Sequence, residues 1–420
     1  MKRAWIISCG SELTWGAIVD TNAAWLARQL ATLGVQAVRH VTVPDDTVAM
    51  HNVLLAAAAD CDLIMVTGGL GPTADDLTRQ ALASASNSPL ELDTDSLEQI
   101  RTYFLDRGRE MPATNRVQAM IPRAGRALPN SCGTAPGIAM DIGGKPCFAL
   151  PGVPFEMERM FADTVVPEIK ENTSGTVVLD AILQCFGQGE SDLGARLSDL
   201  MTPGRNPAVG TTAKLGVISV RITTSSADPD QARLLLEQDV REIRRRLGKL
   251  VFGTGDDTLS AAVGRLLVES GQTVSTAESC TGGLIGEMLT EEPGSSRYFL
   301  GGIVAYANEV KQALLGVDRD QIESHGAVSE PVAIAMAAGA RERCDSDYAV
   351  SVTGIAGPSG GSPSKPVGLV YIGLATPDNV SAAKYQFGHT TPRDVIRMRA
   401  AHIALNLLRL EIERQMAARA

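Results

Sequence analysis

The alternation of short apolar runs with helical patterns constrains the fold of this chain more than any other sequence feature. At the amino end, strand and helix patterns follow in the order strand, helix, strand, helix, strand, over residues 3–8, 21–33, 35–43, 46–59 and 62–67. Gly34 and Gly68 stand where a helix and a strand should end. Strands and helices that alternate at this spacing predict an α/β fold, in which helices cover a parallel sheet.

The same patterns divide the rest of the chain. The first segment closes with a strand at 145–150, a turn at 151–154 and a helix from Phe155. A smaller α+β module begins near Gly175, with predicted elements at 176–186, 191–201, 216–224 and 230–247. The polar stretch 253–257 marks a boundary, after which the alternation returns at 258–270, 273–277 and from Leu284. We therefore expect three segments, 1–170, 171–252 and 256–420.

The composition excludes several classes of protein. The 420 residues are 44% hydrophobic, which rules out disorder as the main character, and no apolar run approaches the length of a membrane span. The seven cysteines are scattered without a C-x-x-C pair, so we expect a cytoplasmic location and neither a disulfide framework nor a zinc site. The formal net charge of −10 disfavours binding to nucleic acid or to an anionic membrane.

The most informative motif is Thr276-Ala277-Glu278-Ser279-Cys280-Thr281-Gly282-Gly283. A β-branched run leads into small and hydroxyl residues that open a helix, where free main-chain N–H groups can bind an anion or a developing oxyanion. Ser279 is then a candidate nucleophile, and the alternative is that Ser279 or Thr281 only caps the helix. Cys280 is either a rival nucleophile or a small buried hydrophobic residue.

A serine nucleophile needs a base, and the sequence that follows offers two. Lys311, in the stretch 304–311 that also carries Tyr306, can take a proton only if burial or a neighbouring cation keeps its amine neutral. Ser279 with Lys311 is one candidate pair, against the alternative that Lys311 is a solvated helix residue. His325 offers a Ser-His pair instead, or is a structural loop residue.

A Gly-rich loop ends the apolar strand within 350–358. Such a loop lets a ligand approach the main chain closely, and Lys365 beyond it can neutralise a phosphate. The pattern G-x-x-x-x-G-K-[ST] is absent, so the loop is not a P-loop.

The amino-terminal counterpart is the glycine-rich loop 66–78, which follows the third predicted strand. Its position favours a phosphate-binding loop over a dinucleotide fingerprint, because that fingerprint follows the first strand of its domain. Asp75 and Asp76 would hold a cation or cap the next helix, and the alternative is two solvated acids in a first turn.

Together and in this order, these stretches resemble the CinA family (competence/damage-inducible protein A) over nearly the whole chain. Residues 276–283, 306–317, 325–330, 352–358 and 365–368 are similar to its C-terminal nicotinamide-nucleotide amidohydrolase domain. Residues 67–79, 115–122, 133–137 and 150–157 are similar to its N-terminal domain, which resembles molybdopterin-binding proteins and is associated with metal-dependent ADP-ribose pyrophosphatase activity. The resemblance implies a molybdopterin-binding-like three-layer domain, a small α+β KH-type module and an α/β amidohydrolase domain.

For the C-terminal domain, the resemblance implies hydrolysis of nicotinamide mononucleotide to nicotinic acid mononucleotide and ammonia, without a cofactor. Ser279 would be the nucleophile, Lys311 the base, and Tyr306 a helper in the same hydrogen-bonded site. Two loops and one lysine would shape the nucleotide pocket: Cys280, Thr281, Gly282, Gly283, Thr353, Gly354, Ala356, Gly357 and Lys365.

For the N-terminal domain, the resemblance implies a nucleotide site for ADP-ribose, with a divalent metal at Asp75 and Asp76. Its residues would be Glu12, Asn22, Gly68, Gly69, Gly71, Thr73, Asp75 and Asp76. The family motif after the first strand usually carries two acids, whereas Ser11 here replaces one of them. The alternative is therefore a non-catalytic module that binds a nucleotide or pterin, or an adaptor. The family also suggests a homodimer.

Overall fold

A computed structural model gives the fold and describes residues 2–172 and 177–419. The chain divides into two compact units, of which one comprises Met1–Asp180 with Thr224–Leu235 and the other Ala181–Thr223 with Leu236–Ala420. The three-part layout of fold classes expected from the sequence is confirmed, whereas the segment limits 1–170, 171–252 and 256–420 stay a prediction. Among the described residues, none of the helices combines the length and apolar character that a bilayer span requires.

The first unit is built on a six-stranded sheet. Its strands and those of a separate two-stranded ribbon are, in chain order, β1 (Lys2–Cys9), β2 (Val35–Val43), β3 (Leu63–Thr67), β4 (Leu90–Leu92), β5 (Met120–Pro122), β6 (Arg126–Leu128), β7 (Gly137–Ile142) and β8 (Lys145–Leu150). The large sheet has the order β2-β1-β3-β8-β7-β6, and β4 pairs with β5. Strands β1, β2, β3 and β8 are parallel, as predicted, but β7 and β6 add an antiparallel edge.

Two apolar layers sandwich this sheet. Trp5 and Ile7 of β1 pack in one layer, and Ile6 between them packs in the other, because successive side chains of a strand point to opposite faces. The helices that cover the faces and edges are α1 (Ser11–Thr14), α2 (Thr21–Thr32), α3 (Thr47–Asp60), α4 (Thr78–Ala85), α5 (Thr94–Leu105), α6 (Pro154–Met160) and α7 (Val166–Asn172). Asp20 and Asp46 cap α2 and α3 by accepting main-chain N–H bonds.

The middle module is a four-stranded sheet with two helices. Its elements are β9 (Val177–Cys185), α8 (Glu190–Leu197), β10 (Ala208–Lys214), β11 (Val217–Ser226), α9 (Pro229–Leu247) and β12 (Val251–Thr254). The strand order is β10-β11-β9-β12. The predicted start of the module at Gly175 and Thr176 lies outside the described residues. The polar stretch 253–257 is not a free linker, because Gly253 and Thr254 pair with β9.

The C-terminal domain returns to α/β architecture, as the alternation predicted. Its elements are α10 (Leu259–Ser270), β13 (Val274–Glu278), α11 (Leu284–Thr290), β14 (Phe299–Val304), α12 (Asn308–Leu315), α13 (Arg319–His325), α14 (Glu330–Cys344), β15 (Tyr348–Gly354), β16 (Leu369–Ala375), β17 (Val380–Gln386) and α15 (Arg393–Arg419). The sheet order is β14-β13-β15-β16-β17, with β14, β13 and β15 parallel. Their carboxyl ends therefore meet at one edge of the sheet, where ligands of such folds usually bind.

Candidate active site

Ser279 lies at this edge, directly after β13, the middle one of the three parallel strands. Its main-chain N–H donates to the carbonyl of Val352 on β15 at 2.9 Å, which extends the ladder by one residue and fixes the turn. The side chain keeps 9% of its surface exposed, so Oγ is sheltered but can be reached from outside. The buried strand β13 thus ends one residue before Ser279, which we predicted as the nucleophile.

Lys311 approaches Ser279 from the segment that follows the neighbouring strand β14. It lies on α12, which follows β14, and its Nζ is 3.2 Å from Ser279 Oγ. Nζ also donates to the carbonyls of Ala305 at 2.7 Å and Tyr306 at 3.0 Å. A neutral amine has two N–H bonds and one lone pair, so the two carbonyls can take both hydrogens and leave the lone pair for the Ser279 hydroxyl. The site thus matches the geometry of a serine with a lysine base.

Burial tunes the two groups beside Ser279 in opposite directions. Lys311 is 1% exposed, and this desolvation lowers its pKa from the usual range of a lysine. The acids nearby oppose the shift only in part, and no carboxylate pairs with Nζ in the bonds given for the described residues. The Cys280 thiol has its pKa raised to about 12 by burial, so it stays protonated at neutral pH. The thiol is therefore a poor rival to the hydroxyl as nucleophile.

Glu278 changes the expected role of the helix start. Its buried carboxylate accepts main-chain N–H bonds from Gly283 at 3.0 Å, Ile285 at 3.1 Å and Gly286 at 2.9 Å. The expectation that these first-turn N–H groups of α11 are free to hold an oxyanion is wrong, because Glu278 occupies them. The main-chain N–H groups of Cys280 and Thr281, by contrast, donate to no other residue within the described part of the chain.

The turn between β13 and α11 requires its two glycines. Gly282 and Gly283 have φ values of +64° and +97°, in the left-handed region that a side chain disfavours. They fold the chain sharply, so that Thr281 is fully buried and its Oγ1 has no partner among the described residues. The loop 279–283 is therefore rigid at its base and carries unpaired donors close to Ser279.

Tyr306 enters the site through its main chain. Its carbonyl accepts from Lys311, whereas its side chain is 61% exposed and its hydroxyl accepts from Arg393 Nη2 at 3.1 Å. The role of the phenol as a helper stays a prediction. The alternative pair of Ser279 with His325 is not formed in the bonds given for the described residues, since Ser279 Oγ contacts Lys311 and the His325 carbonyl accepts from Lys365.

Two arginines of α15 complete this edge, and our sequence reasoning missed both. Arg393 Nη1 donates to the carbonyl of Gly357 at 2.7 Å, and Arg397 Nη2 donates to the carbonyl of Thr281 at 2.7 Å. Both guanidinium groups act electrostatically on Cys280, which places them near Ser279. Arginines at positions i and i+4 of a helix share one face, but this spacing alone does not show what the face contacts.

The Gly-rich loop that follows β15 lies beside the same edge of the sheet. Gly354 ends β15, and a Cβ added there would lie 3.1 Å from Cys280 Sγ, so only glycine lets the two loops approach this closely. Thr353 Oγ1 donates to the carbonyl of Ala327 at 2.8 Å, and Ala356 is buried in the core. Lys365 is held at the carbonyl of His325, so its predicted contact with a phosphate stays a prediction.

The N-terminal candidate residues divide into two groups. Glu12, Asn22 and Gly68 line one cavity of about 130 Å³. Asn22 Nδ2 donates to Thr67 Oγ1 at 3.0 Å and to the carbonyl of Gly152 at 2.8 Å. The other predicted residues lie along the adjoining loop: Gly69, Gly71, Thr73, Asp75 and Asp76. The buried Arg79 holds this loop by donating to the carbonyls of Leu70 and Gly71, a role that sequence reasoning did not assign.

The loop carboxylates do not form a metal-binding set as they are placed. Asp76 Oδ1 accepts from the N–H of Gly71 at 2.8 Å, and Oδ2 accepts from the N–H and the hydroxyl of Thr73. The hydroxyl of Thr73 also contacts Asp75. Within residues 2–172 and 177–419, no three His, Cys, Asp or Glu side chains cluster as metal ligands. Asp76 therefore acts as a loop cap here, and the divalent metal at Asp75 and Asp76 stays a prediction.

Comparison with known proteins assigns each region to a family model. The CinA C-terminal domain matches residues 256–412, the probable molybdopterin binding domain 5–171, and the damage-inducible protein CinA KH domain 181–253. A competence-damage inducible protein of Symbiobacterium thermophilum is 44% identical over 414 residues, covering 96% of this chain and 97% of its own length. A CinA-like protein of Crocosphaera subtropica is 43% identical over 410 residues, covering 97% of this chain and 99% of its own.

Among solved structures, the competence/damage inducible protein CihA from Agrobacterium tumefaciens is 42% identical. It covers 37% of this chain and 93% of its own, with a TM-score of 0.36.

Proposed function

The chain belongs to the CinA family, and on that premise we propose that its C-terminal domain hydrolyses the amide of nicotinamide mononucleotide to nicotinic acid mononucleotide and ammonia. One observation carries the proposal: the buried amine of Lys311 lies 3.2 Å from Ser279 Oγ, with two carbonyls that accept its hydrogens. This arrangement activates a hydroxyl for attack on a carbonyl carbon without a histidine or a metal ion.

In the first half-reaction, Lys311 takes the hydroxyl proton while Ser279 Oγ bonds to the carboxamide carbon. The carbonyl oxygen becomes an oxyanion, which the open N–H groups of Cys280 and Thr281 are placed to bind. The tetrahedral centre then collapses, the C–N bond breaks, and the proton on Lys311 passes to the leaving nitrogen. Ammonia departs and an ester joins Ser279 to the nicotinoyl group.

In the second half-reaction, water attacks this ester. Lys311, again neutral, takes a proton from the water as its oxygen bonds to the carbonyl carbon. Collapse of the second tetrahedral centre returns the proton to Ser279 Oγ and releases the carboxylic acid. Arg393 and Arg397, which have no carboxylate partner in the ion pairs given for the described residues, supply positive charge for the phosphate of the mononucleotide.

The test is ammonia release from nicotinamide mononucleotide by purified full-length protein. We expect Ser279→Ala and Lys311→Met each to abolish release, while Ser296→Ala at an exposed position, as the matched control, keeps the wild-type rate. Circular dichroism would check that each variant is folded. Full retained activity in Ser279→Ala would overturn the assignment of the nucleophile, and an inactive wild type would overturn the proposed substrate.

For the N-terminal domain, we propose that its cavity binds a nucleotide or pterin and does not cleave it. The support is that Asp76 is used within its own loop, whereas Asn22 lines the cavity and its Oδ1 accepts no hydrogen bond within the described part of the chain. Titration calorimetry should detect ADP-ribose binding that Asn22→Leu weakens. Formation of AMP from ADP-ribose on addition of Mg²⁺ or Mn²⁺ would overturn this proposal in favour of the pyrophosphatase.

A further inference from the structure

The second unit contains a large cavity that the proposed reaction does not use. It has a volume of about 790 Å³, within the range of small-molecule sites. One wall is formed by the middle module, from Phe186 to Glu190 and around Gly216, and the other by the face of α15 that carries Arg399 and Asn406. Arg397 and Arg399 differ by about 200° around the helix, so this face is opposite to the one at Ser279.

Asn406 presents an unused hydrogen-bond donor to this cavity. The residue is only 8% exposed, and its Oδ1 accepts from Arg409 Nε at 3.2 Å and Nη2 at 2.9 Å. These two bonds fix the orientation of the amide, because Arg409 can only donate. Nδ2 therefore faces the cavity, and it has no acceptor in the bonds given for residues 2–172 and 177–419. Because Nδ2 borders the cavity and is not sealed from solvent, it can donate to an acceptor group of a ligand there.

Arg399 adds a positive charge to the same cavity. Its guanidinium lies 5.2 Å from the ring centre of Phe387, and no acidic partner for it is given in the described part of the chain. Its Nε lies 4.0 Å from the point where Gly216 would carry a Cβ, and the ring of Phe186 lies 3.3 Å from that point. The guanidinium of Arg399 and the ring of Phe186 thus both lie next to Gly216. The carboxylate of Glu190, which also lines the cavity, accepts from Thr211 Oγ1 at 3.0 Å.

The backbone of the middle module provides further donors. Helix α8 begins after Gly189 without a side-chain cap, next to the segment Gly187–Gly189 that lines the cavity, and its first turn also carries the acids Glu190 and Asp192. Most of the remaining lining is apolar or aromatic, which suits the planar face of a ring, and it includes Phe186, Ile218, Tyr385, Leu407 and Leu410.

We propose that this cavity is a second ligand site, which binds a small aromatic phosphate monoester of mononucleotide size. The phosphate lies between Arg399, Asn406 Nδ2 and the start of α8, and the ring lies against Phe186 and the aliphatic wall. Because α15 also carries Arg393 and Arg397, occupation of the cavity is transmitted to the Ser279 edge through one helix. The proposed binding does not depend on the identity of the reaction at Ser279.

The experiment is photolabelling of the full-length protein with 8-azidoadenosine monophosphate, followed by mass mapping of the labelled peptides. We expect label on peptides that contain residues 186–190 or 215–218. Asn406→Asp retains the acceptor for Arg409 but replaces the donor by a negative charge, so it should reduce this label about tenfold. Arg399→Gln should reduce it about fivefold, whereas Arg414→Gln on the same helix, as the control, should leave it unchanged.

Competition separates phosphate recognition from recognition of the ring. AMP should remove the label, adenosine should remove it only at much higher concentration, and inorganic phosphate should be intermediate or weaker. The proposal is overturned if the wild type carries label only on other peptides, if both variants label as the wild type does, or if adenosine competes as well as AMP. Labelling of N-terminal peptides reports binding in the other domain and serves as an internal reference.

Discussion

The substitution Glu278→Gln tests whether a buried carboxylate holds the loop of Ser279 in place. Glu278 precedes Ser279 and is 1% exposed, and its two oxygens accept three main-chain N–H bonds from the start of α11. Glutamine has nearly the same shape but only one acceptor oxygen and no charge. It is therefore the smallest change that breaks this contact without opening a cavity.

The magnitude follows from the three bonds. In the better orientation of the amide, its oxygen retains Gly283 and Ile285, while its NH₂ faces the N–H of Gly286. One charge-assisted bond is lost, one donor is left buried without a partner, and the two other bonds weaken. Together these effects cost about 2–4 kcal/mol of local stability. Since about 1.4 kcal/mol corresponds to a factor of ten, amide exchange should accelerate about 30-fold to 1,000-fold.

Hydrogen exchange monitored by mass spectrometry on a peptide that covers residues 279–290 measures this effect locally, so it does not require two-state unfolding of the whole chain. The control is Glu287→Gln, which removes an exposed carboxylate from the same helix. The rate of ammonia release should fall on the order of 100-fold in Glu278→Gln, because a small displacement of Ser279 misaligns the attack. Exchange equal to that of Glu287→Gln would refute the proposed role of Glu278.

Three further predictions concern titration, the thiol and the middle module. Burial lowers the pKa of Lys311, and the base must be neutral, so kcat/KM should fall as pH drops through that lowered value and level off above it; a flat profile would contradict this. Cys280→Ala should keep most of the activity, and iodoacetamide should not inactivate the wild type, because burial raises the pKa of this thiol to about 12. Asp239→Asn should destabilise the module by about 3 kcal/mol, since it breaks a largely buried pair with Arg205; urea unfolding measures this, and Asp239→Leu with Arg205→Met should recover part of the loss.

The sequence offered Ser279 with Lys311 as one of two candidate pairs and the family resemblance favoured it, and the parallel strands explain why the two residues meet. Once β13 and β14 are recognised as adjacent parallel strands, the residues after their carboxyl ends must meet at one edge. The helix that follows β14 then brings Lys311 back toward the turn after β13. The topology of the sheet thus brings together two residues that are 32 positions apart in the chain. The structure adds the distance between them and the burial of Lys311.

The antiparallel parts of the sheets were missed although both of them carry a local signal. Gly143 and Gly144 have φ values of +58° and +76° and join β7 to β8 in a two-residue turn. Two adjacent glycines between apolar runs are typical of such a hairpin, so the antiparallel edge could have been inferred. The strands β16 and β17 are joined by Thr376-Pro377-Asp378-Asn379, whose Pro, Asp and Asn are typical of a turn, so this hairpin could also have been inferred.

Glu278 and the arginines of α15 could not be assigned from sequence for a different reason. An acid at the end of an apolar strand is compatible with solvent, and only the return of the chain through Gly282 and Gly283 folds the start of α11 onto it. Arg393 follows Ser279 by about 110 residues, with four other elements of the sheet and several helices between them. Their meeting depends on how α15 packs, which no local pattern encodes.

The packing of α15 explains why one helix can serve two sites. Arg409 is 1% exposed and is bound by Asn406, Glu413 and the carbonyl of Lys249, so Asn406 can move only together with the helix. A displacement of Asn406 would therefore move α15 as a rigid body and reach Arg397 and Arg393, which lie about 2.5 and 3.6 turns away. Arg397 donates to the carbonyl of Thr281 and Arg393 to that of Gly357, each at 2.7 Å. Such hydrogen bonds tolerate little movement before they break. We therefore expect a ligand that shifts α15 to change the position of the loop that carries Ser279.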